Sequence, residues 1–450
     1  MLQGALMSKF IIPCILFFFS LHNAAWADRI AIVGGGAAGV VSAWLLEQDH
    51  EVTLYESQDR LGGHANSIDV EVDGKKIVVE AGAEFFNRYA YPHFMRLLNF
   101  YKIPVKPFTL VTTYYETDGS ELIILPPYHD GQVEWQSLTP ANLRKIMNLK
   151  VVLDVGHHVI EEKDSDLTLE TLADHIHITD VFKDTFLYPF LAAGWGVTSD
   201  EIRQYSAFSV LQYMVTSYDN SSNEWFEVET GLSSYVTRLS RDLKNSRIQL
   251  NSRIAQVTFE QGAYVIEEEN GTRREFDHLV FATNANTAAQ LMRSLPEREA
   301  LMKTLARVRY YDTQIAIHGD KRFMPPKEKD WRVANVRYNG VNAAMTIYKK
   351  WKSKTPVFKS WVTHDIRAPG DKGSALPKNL YALIKYQHPH TDKDFFAAQK
   401  AAQAEQGQYN LWFAGMWMND IGSHEDAIVS AIRIAERLAP NSARLQILQD

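Results

Sequence analysis

Three glycines, Gly34, Gly36 and Gly39, are spaced as in a loop that receives phosphate groups, and a carboxylate, Glu56, follows about 20 residues on. The chemistry of such a set is nucleotide binding. The first glycine permits a tight turn, the second lets backbone approach a pyrophosphate, and the third lets helix and strand pack closely. Glu56 is placed to accept hydrogen bonds from a ribose diol. A second pair, Gly62-Gly63, follows Arg60 in "ESQDRLGGHANSI". An NAD dehydrogenase has no use for that pair, whereas FAD, a longer dinucleotide, needs a second contact to its pyrophosphate.

These residues need elements to hold them. "RIAIV" reads as a buried strand, "VVSAWLLEQ" as a helix and "EVTLYE" as a second strand ending at Glu56. The helix N-terminus offers free N–H groups and partial positive charge to the phosphates. Near the other end of the chain, "LWFAG" reads as a strand ending at Gly415, and "HEDAIVSAIRIAERL" as a helix. "YVIEEENGTRREFDHLVFAT" reads as a hairpin turning at Asn270-Gly271. "LRKIMNLKVVLDVGHHVIEE" is helical, while "TQIAIHGD" and "NAAMTIYKK" alternate like strands of a mixed sheet.

The stretches "RLGGHANSI", "FFNRYAYPHFMRLL", "IAIHGDKRFMPP", "YQHPH" and "FAGMWMNDIGSHEDAIVSAIRIAERL" carry a resemblance through nearly the whole chain. The sequence resembles the FAD-dependent amine oxidase and phytoene desaturase superfamily, closest to its branch of NAD/FAD-binding proteins. The resemblance implies an α/β fold, with a Rossmann-type FAD-binding domain like that of glutathione reductase and an inserted α+β substrate domain. It places Ala38 with the three glycines at the pyrophosphate, and Ser57, Arg60, Gly63 and His64 along the phosphates and ribityl chain. Many amine oxidases have arginine at the position of His64. Gly82, Ala83 and Glu84 are expected beside the flavin, and the Ile254 backbone beside adenine. Asp426, Ala427 and Ile428 are expected where the last helix meets the flavin pyrimidine. A lysine found beside the flavin in many amine oxidases aligns with Thr313.

On this reading the FAD domain is discontinuous, over 28–90, 227–296 and 406–440, and the substrate domain occupies 91–226 and 297–405. Aromatic-rich stretches such as "TTYYETDG" and "FKDTFLYPFLAAGWGV" suit either an apolar tunnel or core packing.

The remaining bounds are simpler. A chain of 450 residues, 46% hydrophobic, can bury a large core, and a net charge of −7 gives no polycationic signature for nucleic acid. Residues 1–27 read as a signal peptide: Lys9, then "FIIPCILFFFSL", then Ala25-Trp26-Ala27 as a cleavage site, leaving Asp28 first. Met7 is an equally good start, and a retained anchor is the alternative. The single cysteine, Cys14, leaves with the leader, so the mature chain has no disulfide or thiol. His388-Pro389-His390 with Asp392, and His157-His158, lack the further ligands of a recognisable metal site.

The expectation is a periplasmic or secreted FAD oxidoreductase that oxidises a small apolar or amine-bearing molecule by hydride transfer to flavin. Its electron acceptor, O2 or a quinone, stays open, as does peripheral contact with a membrane. The alternatives are an NAD(P)-dependent oxidoreductase and a flavin-binding protein without turnover. No residue is singled out as catalytic.

Overall fold

The computed structural model describes residues 27–219 and 224–449, so the expected leader lies, Ala27 apart, outside the described residues. The βαβ unit is formed by strand Arg29–Val33, helix Ala37–Leu46 and strand Glu51–Tyr55. The two strands run parallel, with Arg29 opposite Glu51 and Val33 opposite Tyr55. Arg247–Gln249 joins the outer side of Glu51–Tyr55, while His278–Phe281 and then Leu411–Phe413 extend the other side. All five strands are parallel. They are short and apolar, as a sheet covered on both faces requires. The helix Ala37–Leu46 is buried from Ala38 to Leu46. It lies between this sheet and the helices Ser233–Asp242 and His424–Leu438, so it has no polar face to show.

A second sheet has seven strands, in the order Leu380–Pro389, Tyr310–His318, Phe358–Trp361, Ala343–Tyr348, Ala334–Tyr338, Thr112–Glu116 and Leu122–Leu125. Neighbours are antiparallel except Ala334–Tyr338 with Thr112–Glu116, which makes the sheet mixed. Helix Pro140–Glu162 spans the long helical run; the Thr139 side chain caps it by accepting from the Asn142 N–H. Among the described residues no helix is long and apolar enough to cross a membrane.

One reading needs correction, and one open alternative is narrowed. The expected hairpin ends earlier: Ala263–Glu268 pairs with Arg273–Phe276, and His278–Phe281 departs for the parallel sheet. Asp277 redirects the chain, because its carboxylate takes the Arg29 guanidinium at 2.7 Å and the Arg29 N–H at 2.8 Å. His278–Phe281 is buried along its length and is paired on both edges, with Arg29–Val33 and Leu411–Phe413. The aromatic-rich stretches are also largely core. Tyr114, Phe186 and Tyr188 are almost fully buried, and Phe186 packs against Tyr114 at 4.9 Å and Phe190 at 5.4 Å.

Candidate cofactor and active site

The glycine loop has the steric logic its sequence suggests. Gly34 has φ +111°, and a Cβ there would sit 2.4 Å from the Ala282 carbonyl oxygen. At Gly39 a Cβ would lie 1.9 Å from the Gly34 oxygen, the close approach of helix to strand. A Cβ on Gly36, at the helix N-cap, would meet nothing within 4 Å. The ground before the helix N-terminus is therefore clear, and Ala38 lies buried behind it.

Glu56 follows the end of its strand and is fixed by its surroundings. It accepts from the Gly35 N–H at 2.7 Å, the Gln58 N–H at 2.8 Å and the Ser57 hydroxyl at 3.2 Å. A carboxylate has about four acceptor sites, which leaves room for a ribose hydroxyl. Gly35, not singled out from the sequence, thus orients the acid. The segment carrying Ile254 is drawn alongside: the Ser252 N–H donates to the Glu56 carbonyl and the Asn251 N–H to Gln58.

The second glycine pair lies directly on the first loop. The Gly62 N–H donates to the Gly35 carbonyl at 2.7 Å, and Gly36 and Gly62 form a parallel bridge. Gly63, with φ +56°, faces the Gly36 Cα. Arg60 curls back to donate to the Gly63 carbonyl at 3.0 Å. Packing between the two loops is a requirement the sequence reading did not see. Next, the His64 carbonyl accepts from the Ala83 N–H, and a Cβ on Gly82 would clash with that oxygen at 2.0 Å.

Glu84 turns to lysines. Its carboxylate lies 2.6 Å from both Lys349 and Lys359, and Lys359 also donates to the Gly82 carbonyl at 2.7 Å. Lys349 continues to Glu227 at 2.7 Å, where Lys352 and the Trp351 indole N–H also bind. Burial pushes the Glu84 carboxyl up, but the two lysines outweigh it and hold it below the usual range. Burial likewise opposes the Lys349 charge, and Glu84 and Glu227 overcome it. The expected lysine position, Thr313, is fully buried; the lysine that reaches the cofactor segment, Lys359, comes from the neighbouring strand opposite Ile317.

The last helix begins in a capping box. Ser423 accepts from the Asp426 N–H, and Asp426 accepts from the Ser423 N–H at 2.6 Å and the Asn419 amide at 2.6 Å. The Asp426 side chain is thus occupied as a cap, and burial raises it to about 7 against those hydrogen bonds. Glu425 caps a second helix, Pro92–Phe100, by accepting from the His93 and Phe94 N–H groups at 2.9 Å. Ala427 and Ile428 are buried in the core shared with the helix Ala37–Leu46. Gly415, at φ +141°, donates its N–H to the Ser430 hydroxyl at 2.9 Å.

Rings that the sequence reading missed complete the site. His64 stacks on Tyr386 with ring centroids 4.6 Å apart and lies 5.1 Å from His388. His424, first in the last helix, meets the Tyr235 hydroxyl at 3.1 Å. Burial holds these imidazoles neutral. It lowers His64 to about 4, with help from Arg60 and Lys359, and His388 to about 3, with help from His64 and Lys359. His424 falls to about 4 by burial, with a contribution from His64. A signal existed: "YQHPH" places rings at alternate residues of a strand. Among the described residues no three ligating side chains gather as a metal site.

The clear cradle at Gly36, the held Glu56 and a buried His64 Nε2 without a partner together suit a flavin dinucleotide. Comparison with known proteins agrees. Residues 37–361 match the model of the flavin-containing amine oxidoreductases. Cyclohexylamine oxidase from Brevibacterium oxydans IH-35A shares the fold, with TM-score 0.67 and 15% identity over 92% of this chain and 99% of that one. A CLA-producing fatty acid isomerase from P. acnes does so with TM-score 0.64 and 15% identity over the same shares. Carotenoid phi-ring synthase from Streptomyces griseus is 40% identical over 67 residues, 14% of this chain and 13% of that enzyme.

Proposed function

The chain belongs to the flavin-containing amine oxidoreductase family, with FAD as its cofactor, and from that premise we propose an exported oxidase of a small apolar or amine-bearing molecule. The observation that carries this reading is where the two sheets meet. The cofactor segments at His64 and Gly82–Glu84 abut Lys359, Tyr386 and His388 of the seven-stranded sheet, and on this reading the substrate cleft lies at that junction, the reacting end of the cradle.

That cleft is lined by rings, and its charges are internally matched. Lys359 is paired with Glu84, and the three imidazoles are neutral. No unpaired ion among these side chains would grip a polycation or a carboxylate. The uncharged Thr313 points the same way. Bound FAD supplies a two-electron acceptor for hydride. The chain's own part is to hold the dinucleotide along Gly34–Gly39, Glu56 and Gly62–His64, to orient the substrate carbon, and to exclude water. The fold hosts proteins named for an amine and for a fatty acid, so substrate choice lies with the cleft.

Anaerobic mixing of the yellow protein with a substrate panel tests the proposal. Apolar chains and simple monoamines are expected to bleach the flavin, and spermine and the standard amino acids to leave it oxidised. Rapid stoichiometric reduction by spermine would overturn the substrate class; bleaching by NAD(P)H alone would overturn the reaction. Export is tested by N-terminal sequencing from the producing host, where Asp28 is the expected first residue.

A further inference from the structure

A line of ionisable rings leads away from His64 across the face of the seven-stranded sheet. Tyr386 and His388 sit at alternate positions of the Leu380–Pro389 strand and so share a face, and His390 follows just beyond its end. Tyr311 lies directly opposite His388 on the adjacent strand, and Thr313 lies opposite Tyr386. From His388 the centroids step 5.8 Å to Tyr311, then 5.0 Å to His390, then 5.4 Å to Tyr205. At its far end His390 adjoins Arg309, whose carbonyl accepts the His390 N–H at 2.9 Å. Arg309, Asp392 and Ser206 line an open polar pocket of about 350 Å³.

Polar atoms along this line are buried without partners: His64 Nε2, Thr313 Oγ1, His390 Nδ1 and Ser206 Oγ. A native core seldom tolerates one such atom, and several in series mark groups bridged by internal water. The phenols between them have partners: the Tyr386 hydroxyl accepts from the Asn66 amide at 2.8 Å and the Tyr311 hydroxyl donates to the Trp195 carbonyl at 2.6 Å.

We propose that the row His64, Tyr386, His388, Tyr311 and His390 is a proton path joining the reacting end of the cofactor cleft to the pocket at Arg309 and Asp392. The inference rests on the oxidation reading above. Two-electron oxidation breaks a C–H bond, whose electron pair leaves as hydride to the flavin, and an adjacent X–H bond, whose electrons form the new double bond. The X–H proton must then leave a cleft that excludes bulk water. Each neutral imidazole takes a proton on one nitrogen and releases one from the other, and each phenol relays by rotating its O–H, Tyr311 away from the Trp195 carbonyl. The charges facing the row divide it. Lys359 and Arg60 stand near the His64 end and disfavour a resting proton there, whereas Asp392 and Glu201 face His390 together with Arg309.

Two measurements on the full-length, FAD-loaded protein test the path. In protein labelled with ¹⁵N at histidine, the imidazole signals assigned by His388→Phe and His390→Phe should exchange with water within milliseconds. Exchange slower than seconds would mean a dry, merely structural row and would overturn the path. The second uses stopped flow in weak buffer with a pH dye and any panel compound that bleaches the flavin. Proton release should coincide with bleaching in the natural sequence, lag it at least tenfold in His390→Phe, and catch up when free imidazole is added. Release that keeps pace with bleaching in the variant would also overturn the path. If no compound bleaches the flavin, the oxidation reading falls, and the exchange measurement still decides whether the row conducts.

Discussion

The two ends of the proposed cofactor site are built by opposite means. At the nucleotide end, Gly34 to Gly39, Glu56 and Gly62-Gly63 form a surface of backbone, where the decisive feature is a missing side chain. At the ring end, side chains from distant segments converge, and charge is buried: Glu84, Glu227, Lys349 and Lys359 meet with side chains at most 12% exposed. The first design is local and tolerates little bulk. The second is long-range and tolerates little change of charge, because an unpaired ion in a low-dielectric interior has nothing to replace its water. Substitutions should therefore separate the ends, fold stability responding most at one and cofactor binding at the other.

The largest effect is expected from Lys349→Met. It leaves Glu84 and Glu227 with one cation fewer, and breaking a buried pair costs about 3–5 kcal/mol. Urea unfolding of the FAD-loaded protein should show this loss. A cost below about 1 kcal/mol, the range of a surface pair, would mean the quartet is solvated and the contrast is false.

The glycines sharpen the other side. Gly39→Ala forces a Cβ into the Gly34 carbonyl and should cost about 1–3 kcal/mol of stability together with flavin binding. Gly36→Ala meets open space, so it should keep the melting temperature within a few degrees while weakening FAD binding. Equal behaviour of the two variants would refute the assignment of the space before Gly36 to the cofactor. Glu56→Ala should sit between them. It removes an acceptor from the ribose, worth roughly 1.5–3 kcal/mol or about 10- to 100-fold in affinity. Unchanged flavin retention after long dialysis would contradict that role.

The same contrast explains what the sequence could disclose. The steric purpose of Gly34 and Gly39 was legible because they follow one another at the first strand-to-helix turn of a single βαβ unit. The course of the chain after Asp277 was not, since the partner that redirects it, Arg29, lies 248 residues away. Nor was the Lys359–Glu84 pair, which joins an inserted strand to the cofactor segment. Asp426 shows a subtler point: the resemblance expects it where the last helix meets the flavin, and its side chain is engaged in that helix's own cap. His388 and His390 were weighed only as metal ligands, although their alternation with Tyr386 already implied one face of a strand.

The last prediction concerns Glu80, beside the charged quartet. Burial, then the negative charge of Glu84, raises its carboxyl from the usual 4.5 to about 7, against the lowering influence of Lys349. It accepts from the Leu232 N–H and the Ser67 hydroxyl, both at 2.8 Å. Between pH 4.5 and 7 the folded chain keeps a proton that the unfolded chain has released, so folding takes up a proton in that window. Stability from this group is full below pH 4.5 and is lost as pH rises through 7. A tenfold difference in proton affinity between the folded and unfolded chains is worth about 1.4 kcal/mol, so the loss should be on the order of 1–3 kcal/mol. Glu80→Gln keeps an acceptor for Leu232 and an amide for the Ser67 oxygen but cannot ionise. Unfolding measured at pH 5 and pH 8 should show the variant losing less stability than the natural sequence over that interval. If both fall by the same amount, Glu80 is ionised throughout, and the cluster would hold more negative charge than the matched quartet described here.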